Sequence, residues 1–121
     1  MGSPGSVLLE MTPHQVVEQL ETDLNLTRDD LARVLNASVR TVERWRTGQA
    51  YPQLEARHRL AALVGLRNHL HETFATPEAL REWLQTSNRY LGWLSPIDAL
   101  RAGRIDRVQA ALEALDSGIF L

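Results

Sequence analysis

Apolar positions along this chain recur at three- and four-residue spacing and hardly ever at two, so the pattern predicts helices and no sheet. Thr12-Pro13-His14-Gln15 supplies an N-cap, a proline at the first helical position and a glutamine that closes a capping box. Val16, Val17 and Leu20 then share one face. Thr27-Arg28-Asp29-Asp30 is a second capping box, with Asp30 reaching back to the cap, followed by the stripe Leu31, Ala32 and Leu35. Asn36-Ala37 makes a short turn. Ser38 caps a third helix in which Val42 and Trp45 face inward, and Gly48 stands where a left-handed residue stops it. A long helix is predicted from about Leu54 to Phe74, with Leu60, Leu63, Val64, Leu70 and Phe74 at helical spacing. Thr76-Pro77 opens another, with Leu80, Trp83 and Leu84 inward. The pattern breaks from Ser87 to Leu94. A short helix starts at Ser95-Pro96 and ends by Gly103. A last one, Ile105 to Asp116, carries Val108, Ala111, Leu112 and Leu115 before Ser117-Gly118.

Two short helices joined by a tight turn form a helix-turn-helix, with the small Ala32 where the second helix approaches closely. The N-terminal half of the recognition helix in such a unit enters the major groove. Its polar face would be Val39, Arg40, Thr41, Glu43 and Arg44. Arg40 and Arg44, four apart, project from one side and suit bidentate contacts to guanine. Thr41, Thr27 and Arg28 suit phosphate contacts, as do Arg46 and Gln49 from the far end. The domain plan is then a flexible leader (1–11), a helix-turn-helix module (12–53), central helices (54–86) and a small C-terminal domain (87–121).

Charge refines this picture. The 121 residues carry a formal net charge of -2, which argues against indiscriminate polyanion binding. All 13 basic residues are arginine, and they are uneven: residues 27–59 hold seven arginines against four acids, whereas residues 1–26 hold four acids and no base. A locally basic segment thus sits in a mildly acidic chain. There is no cysteine, hence no disulfide or thiolate metal site. No apolar run is long enough to span a membrane and no signal segment opens the chain, so the expected address is cytoplasmic. His14, His58, His69 and His71 are scattered, and the Glu55-x-x-His58 spacing of di-iron bundles occurs once without companion carboxylates. No catalytic constellation, phosphate loop, metal site or cofactor site is expected.

The pattern LAxxLxxSxxTVxRWxxGxxxP from Leu31 to Pro52 resembles the Xre (Cro/repressor-like) helix-turn-helix family. The resemblance puts Val39, Arg40 and Arg44 at base-reading positions and Arg28 and Thr41 at phosphate positions. The stretch LGWLSPIDALRAGRIDRVQAALEALDSGIF is similar to the toxin-binding domain of Xre/MbcA/ParS antitoxins. The two cover roughly Thr27 to Leu121 in the family's domain order. One departure is Leu94-Ser95 before Pro96-Ile97-Asp98, where many relatives carry a glycine-rich approach.

The combined resemblance implies an all-α fold, with an Xre-like helix-turn-helix module joined by a long central helix to a small toxin-binding domain. It implies a type II antitoxin that neutralises a RES-domain, NAD-consuming toxin by covering its active site and binds operator DNA to regulate its own operon. A homodimer is expected, because helix-turn-helix readers usually recognise two half-sites. The toxin-facing residues it implies are Trp93, Arg101, Arg104, Ser117, Gly118, Ile119, Phe120 and Leu121. Arg101, Arg104 and Arg107, three apart, suggest a basic ridge for an acidic partner. Trp45, Trp83 and Trp93 are expected as core or interface anchors. The alternative is a stand-alone Xre regulator whose C-terminal region dimerises or senses a ligand.

Overall fold

The computed structural model describes residues 12–118, so the expected leader and the expected toxin contacts Ile119, Phe120 and Leu121 lie outside the described residues. Within that span there are seven α-helices and no strand: α1 (Pro13–Asp23), α2 (Arg28–Val34), α3 (Val39–Arg46), α4 (Leu54–Thr73), α5 (Pro77–Gln85), α6 (Pro96–Arg101) and α7 (Ile105–Asp116). A 3-10 turn, Arg89–Leu91, precedes α6. No helix among these residues is long and apolar enough to cross a membrane.

Local chemistry sets the helix starts. Thr12 and Thr27 each close a reciprocal capping box, with Gln15 and Asp30 as the returning side chains. Ser38, Thr76 and Ser95 cap α3, α5 and α6 by accepting the N–H three residues on. Gly48 ends α3 at φ 80°, and the Gln49 N–H returns to the Arg44 carbonyl, which is the expected left-handed stop. Asn36 takes the same role after α2 at φ 55°, so the helix-turn-helix turn is built on an asparagine, which tolerates that region better than a branched residue does.

α4 is the axle. It packs on α1 on one side and on α5 and α7 on the other. Leu60, Leu63, Val64 and Leu70 are buried as their spacing predicts, and Leu66 is buried too, because a helix with neighbours on both sides needs apolar residues beyond one stripe. α2 and α3 lock through Leu31, Ala32, Leu35, Val42 and Trp45. α6 bridges α2, α5 and α7. The buried residues form one continuous cluster from Val16 to Leu112, so the N-terminal and C-terminal helices share a core. Phe74 and Trp83 are only partly buried and stack on each other at the core's edge, 5.8 Å between ring centres.

One core implies one unfolding transition. Leu60 is fully buried at the centre of α4. Leu60→Ala is expected to destabilise the whole chain by about 2–5 kcal/mol. In chemical denaturation, helix signal and tryptophan fluorescence should shift together; separate midpoints would show two independent units.

Candidate functional site

The three N-terminal helices are held together by a network of charges. Glu43, on α3, is held by the Arg28 guanidinium and by Arg46, whose Nη2 lies 3.1 Å from Oε2. Arg28 also donates to Glu21 of α1 at 3.2 Å, and Arg46 lies 3.8 Å from Glu18. Five side chains from α1, α2 and α3 thus alternate in sign around the base of the recognition helix. The Arg46 hydrogen bond, with the Arg28 charge behind it, holds the Glu43 carboxyl below its ordinary range against the cost of desolvation. His14 adds a ring nitrogen to the Arg46 carbonyl at the end of α3.

This changes the reading of the predicted DNA contacts. Arg28 and Arg46 are engaged within the chain as struts, and the acidic first helix supplies their partners. Glu43 is turned back among those arginines. Arg40, Arg44 and Val39 are exposed, and no ion pair holds either arginine among the described residues. Thr41 is tied to the cap, with its N–H 3.0 Å and its hydroxyl 2.8 Å from Ser38 Oγ. Of the expected DNA contacts, Val39, Arg40 and Arg44 thus stand exposed on α3, whereas Arg28, Thr41 and Arg46 also have partners within the chain.

A second cluster joins these N-terminal helices to the C-terminal ones. Asp30 is 7% exposed. Its Oδ1 accepts from Arg101 Nε at 2.8 Å, and its Oδ2 accepts from the Thr27 N–H at 3.1 Å and from Arg101 Nη2 at 3.4 Å. Arg101 also donates to Asp98 at 2.8 Å. Arg101 holds the Asp30 carboxyl below the usual range, overcoming the opposing effect of burial. Arg101 therefore turns inward, and the expected ridge is reduced to Arg104 and Arg107, both exposed at the start of α7.

The C-terminal end is shaped by two further features. Between Asn88 and Ser95 the chain closes a tight loop: the Asn88 carbonyl accepts from the Leu91 and Trp93 N–H groups, both at 2.9 Å, and its own N–H donates to the Leu94 carbonyl at 3.0 Å. Gly92 and Trp93 follow each other at φ 65° and 72°. Glycine takes that conformation freely, but for a tryptophan it costs about 1–2 kcal/mol. The loop holds Trp93 68% exposed beside the exposed Tyr90 and Leu94. At the other end, Asp116 accepts from His69 at 2.5 Å and from the Thr73 hydroxyl at 3.0 Å, and Gln109 meets the second ring nitrogen of His69 at 2.7 Å. The His69 hydrogen bond, followed by that of Thr73, lowers the Asp116 carboxyl. The end of α7 is thereby clasped to α4. Ser117 and Gly118 follow it, exposed, with Gly118 at φ 71°.

Comparison with known proteins agrees with this architecture. Residues 69–118 match the family described as "Antitoxin Xre/MbcA/ParS C-terminal toxin-binding domain". The mycobacterial cidal antitoxin MbcA of Mycobacterium tuberculosis is 34% identical over 98 residues, covering 81% of this chain and 86% of that protein. The chain belongs to the Xre/MbcA/ParS antitoxin family. A probable mycobacterial cidal antitoxin of the same organism is also 34% identical, over 107 residues, covering 88% of this chain and 90% of that one. Among solved structures, the M. tuberculosis MbcT-MbcA toxin-antitoxin complex contains a chain that superposes with a TM-score of 0.66 at 30% identity, covering 89% of this antitoxin and 96% of that chain. The matched toxin-binding segment begins at His69, inside α4, so it contains α5 and both partners of the His69–Asp116 clasp. Residue spacing alone pointed to none of the long-range pairs here. Arg101 finds Asp30 across 71 positions and Asp116 finds His69 across 47. The one legible signal was Asp30 itself, through its capping box.

Three carboxyls, Asp30, Glu43 and Asp116, sit below their ordinary values in the fold. A depressed native pKa stabilises the fold fully above the unfolded-state value, and that stability is lost as pH falls through the native one. Melting temperature is therefore expected to hold near neutrality and to fall below roughly pH 5. Arg101→Met should lower stability at neutral pH by about 1.5–3 kcal/mol and should flatten the acid limb, because Asp30 loses the donor that depresses it. An acid limb as steep as in the parent would remove Asp30 from this account.

Proposed function

We propose that this antitoxin neutralises a RES-domain toxin that consumes NAD⁺ by covering the toxin's active site, and that it binds operator DNA as a homodimer to control its own expression in the cytoplasm. A solved relative that is itself a toxin-antitoxin complex supports a toxin partner. The observation that carries the reading is Trp93. A strained, outward-facing tryptophan on a closed loop, inside the matched toxin-binding domain, is a poor solution for a free surface and a good one for a buried anchor. Residues 117–121 continue from the clasped end of α7, and in this reading they lie over the entrance to the toxin's active site. Arg104 lies on the same domain and adds a positive edge to that contact. The operator is read by Arg40 and Arg44, with Val39 supplying apolar contact to a thymine methyl.

The direct test is to express the product of the adjacent gene with and without this chain while following cellular NAD⁺ and growth. NAD⁺ should fall with the neighbour alone and recover on co-expression; a harmless neighbour would return the chain to a stand-alone regulator. Two variants separate the surfaces. Arg40→Ala with Arg44→Ala removes contacts worth about 1–3 kcal/mol each, so operator affinity should drop on the order of 100-fold or more while toxin neutralisation is retained. Trp93→Gly relieves the left-handed strain, so melting temperature should hold or rise while toxin neutralisation weakens. Unchanged neutralisation by Trp93→Gly would remove the loop from the interface.

A further inference from the structure

Two adjoining cavities lie between α3 and the rest of the fold, and their linings differ in chemistry. The first, about 450 Å³, is bounded by α3, the loop after it and the start of α4. Trp45 and Tyr51 give it aromatic surface, Leu35 and Ala56 aliphatic surface, and Gln53 and Glu55 polar edges. The second, about 530 Å³, lies between the end of α2, α4 and the end of α6. Arg33, Arg59 and Arg101 line it, and no acidic residue does. Asn36, Ala37 and Arg59 line both, so the two cavities are halves of one cleft. Val39, Arg40 and Arg44 line neither half, so the cleft is separate from the exposed face of α3.

We infer that this cleft binds a free nucleotide, with the base in the aromatic half and the phosphates in the arginine half. A nucleotide joins a flat aromatic ring to an anion through a sugar, and the cleft offers partners for all three parts. Stacking needs an aromatic face that is already placed. The Arg57 guanidinium lies 5.8 Å from the centre of the Tyr51 ring and steadies it, while the tyrosine stays 63% exposed. The Asn36 and Gln53 side-chain amides have no hydrogen-bond partner among the described residues, so both are available to a polar base edge. Glu55 stands beside Arg59, where the halves meet, and its exposed carboxylate suits the hydroxyls of a sugar.

The arginine half supplies the charge. Arg33 has no ion pair among the described residues, and Arg59 has only Glu55, 3.6 Å away. Their guanidinium groups are therefore free to meet phosphate oxygens, a contact for which the planar fork is well shaped. The Arg101 fork is already engaged by Asp30 and Asp98, so this residue closes the wall and adds no donor. A bare phosphate would leave the aromatic half empty, and an uncharged ring would leave Arg33 and Arg59 unmatched. A nucleotide satisfies both halves. Held there, it touches α2, α3, α4 and the end of α6 at once, so its binding stabilises the shared core by mass action.

The test titrates the full chain with metal-free ADP by calorimetry and follows the melting temperature. ADP should bind once per chain and raise the melting temperature as its concentration passes the dissociation constant. Adenosine lacks the phosphates and pyrophosphate lacks the base, so each should bind about 10-fold more weakly or worse. Arg33→Gln with Arg59→Gln should weaken ADP about 10-fold or more and leave adenosine unchanged. Tyr51→Ala should weaken ADP and adenosine alike and leave pyrophosphate unchanged. Arg33 and Tyr51 are exposed and Arg59 is half-buried, so these variants should keep their helix signal. Arg81→Gln, at an exposed arginine outside the cleft, should bind ADP as the parent does. Absence of both heat and a melting shift at millimolar ADP would overturn the inference. So would ADP binding that survives Arg33→Gln with Arg59→Gln, or pyrophosphate binding as tight as that of ADP, since the site would then serve a bare anion. Displacement of ADP by duplex DNA of arbitrary sequence would also overturn it, because the cleft would then be a DNA contact. None of these measurements involves the toxin, so failure here leaves the antitoxin reading standing, and the reverse also holds.

Discussion

The buried Asp30 carboxylate is the constraint around which this small protein is arranged. It closes the N-terminus of α2 by accepting from Thr27, and it accepts two guanidinium N–H groups of Arg101 from α6. A carboxylate so enclosed is costly unless each lone-pair direction meets a donor. Here the donors come from opposite ends of the chain. Satisfying that one group therefore sets how α1–α3 sit against the C-terminal helices, and the continuous core beneath it makes the setting rigid. The helix-turn-helix unit and the matched toxin-binding domain are thus mounted on a single body with little freedom between them.

A similar logic governs α3. A chain with net negative charge presents a basic surface only if its acids are placed elsewhere or used. Here they are used. Glu18, Glu21 and Glu43 bind Arg28 and Arg46, which anchors α3 on α1 and leaves Arg40 and Arg44 pointing outward. Arginine suits both roles, since its planar fork can bridge two carboxylates as a strut or grip a base edge as a reader. Which role a given arginine takes is decided by what stands within reach of it, and residue type alone does not reveal it.

The C-terminal half shows the complementary case, in which order is imposed on residues that face outward. Trp93 is kept in a left-handed conformation by three backbone hydrogen bonds centred on Asn88, and the end of α7 is kept on α4 by His69 and Thr73. The loop puts Leu91 into the core while turning Trp93 outward. Both arrangements fix the direction of outward-facing segments within the matched toxin-binding domain.

Local rules determined most of the architecture. The capping boxes at Thr12 and Thr27, the caps at Ser38, Thr76 and Ser95, the stop at Gly48 and the apolar stripes are all satisfied within a few residues, so they are written in short stretches of sequence. The same holds for the family motifs, which depend on spacing inside one or two helices. Leu66 and Ala114 escaped the stripe reading because neighbouring helices bury a second face there. The roles of the arginines were decided only in three dimensions. Arg28, Arg46 and Arg101 look in sequence like Arg40 and Arg44, and differ because Glu21, Glu43, Glu18 and Asp30 come within hydrogen-bonding or ion-pairing distance once the helices pack. The exposure of Trp93 belongs to the same class, since a loop closed by its own backbone leaves no periodicity to read. Sequence determines what depends on neighbours along the chain; pairings between distant residues follow from packing, and in this protein packing decides which charges remain for a partner.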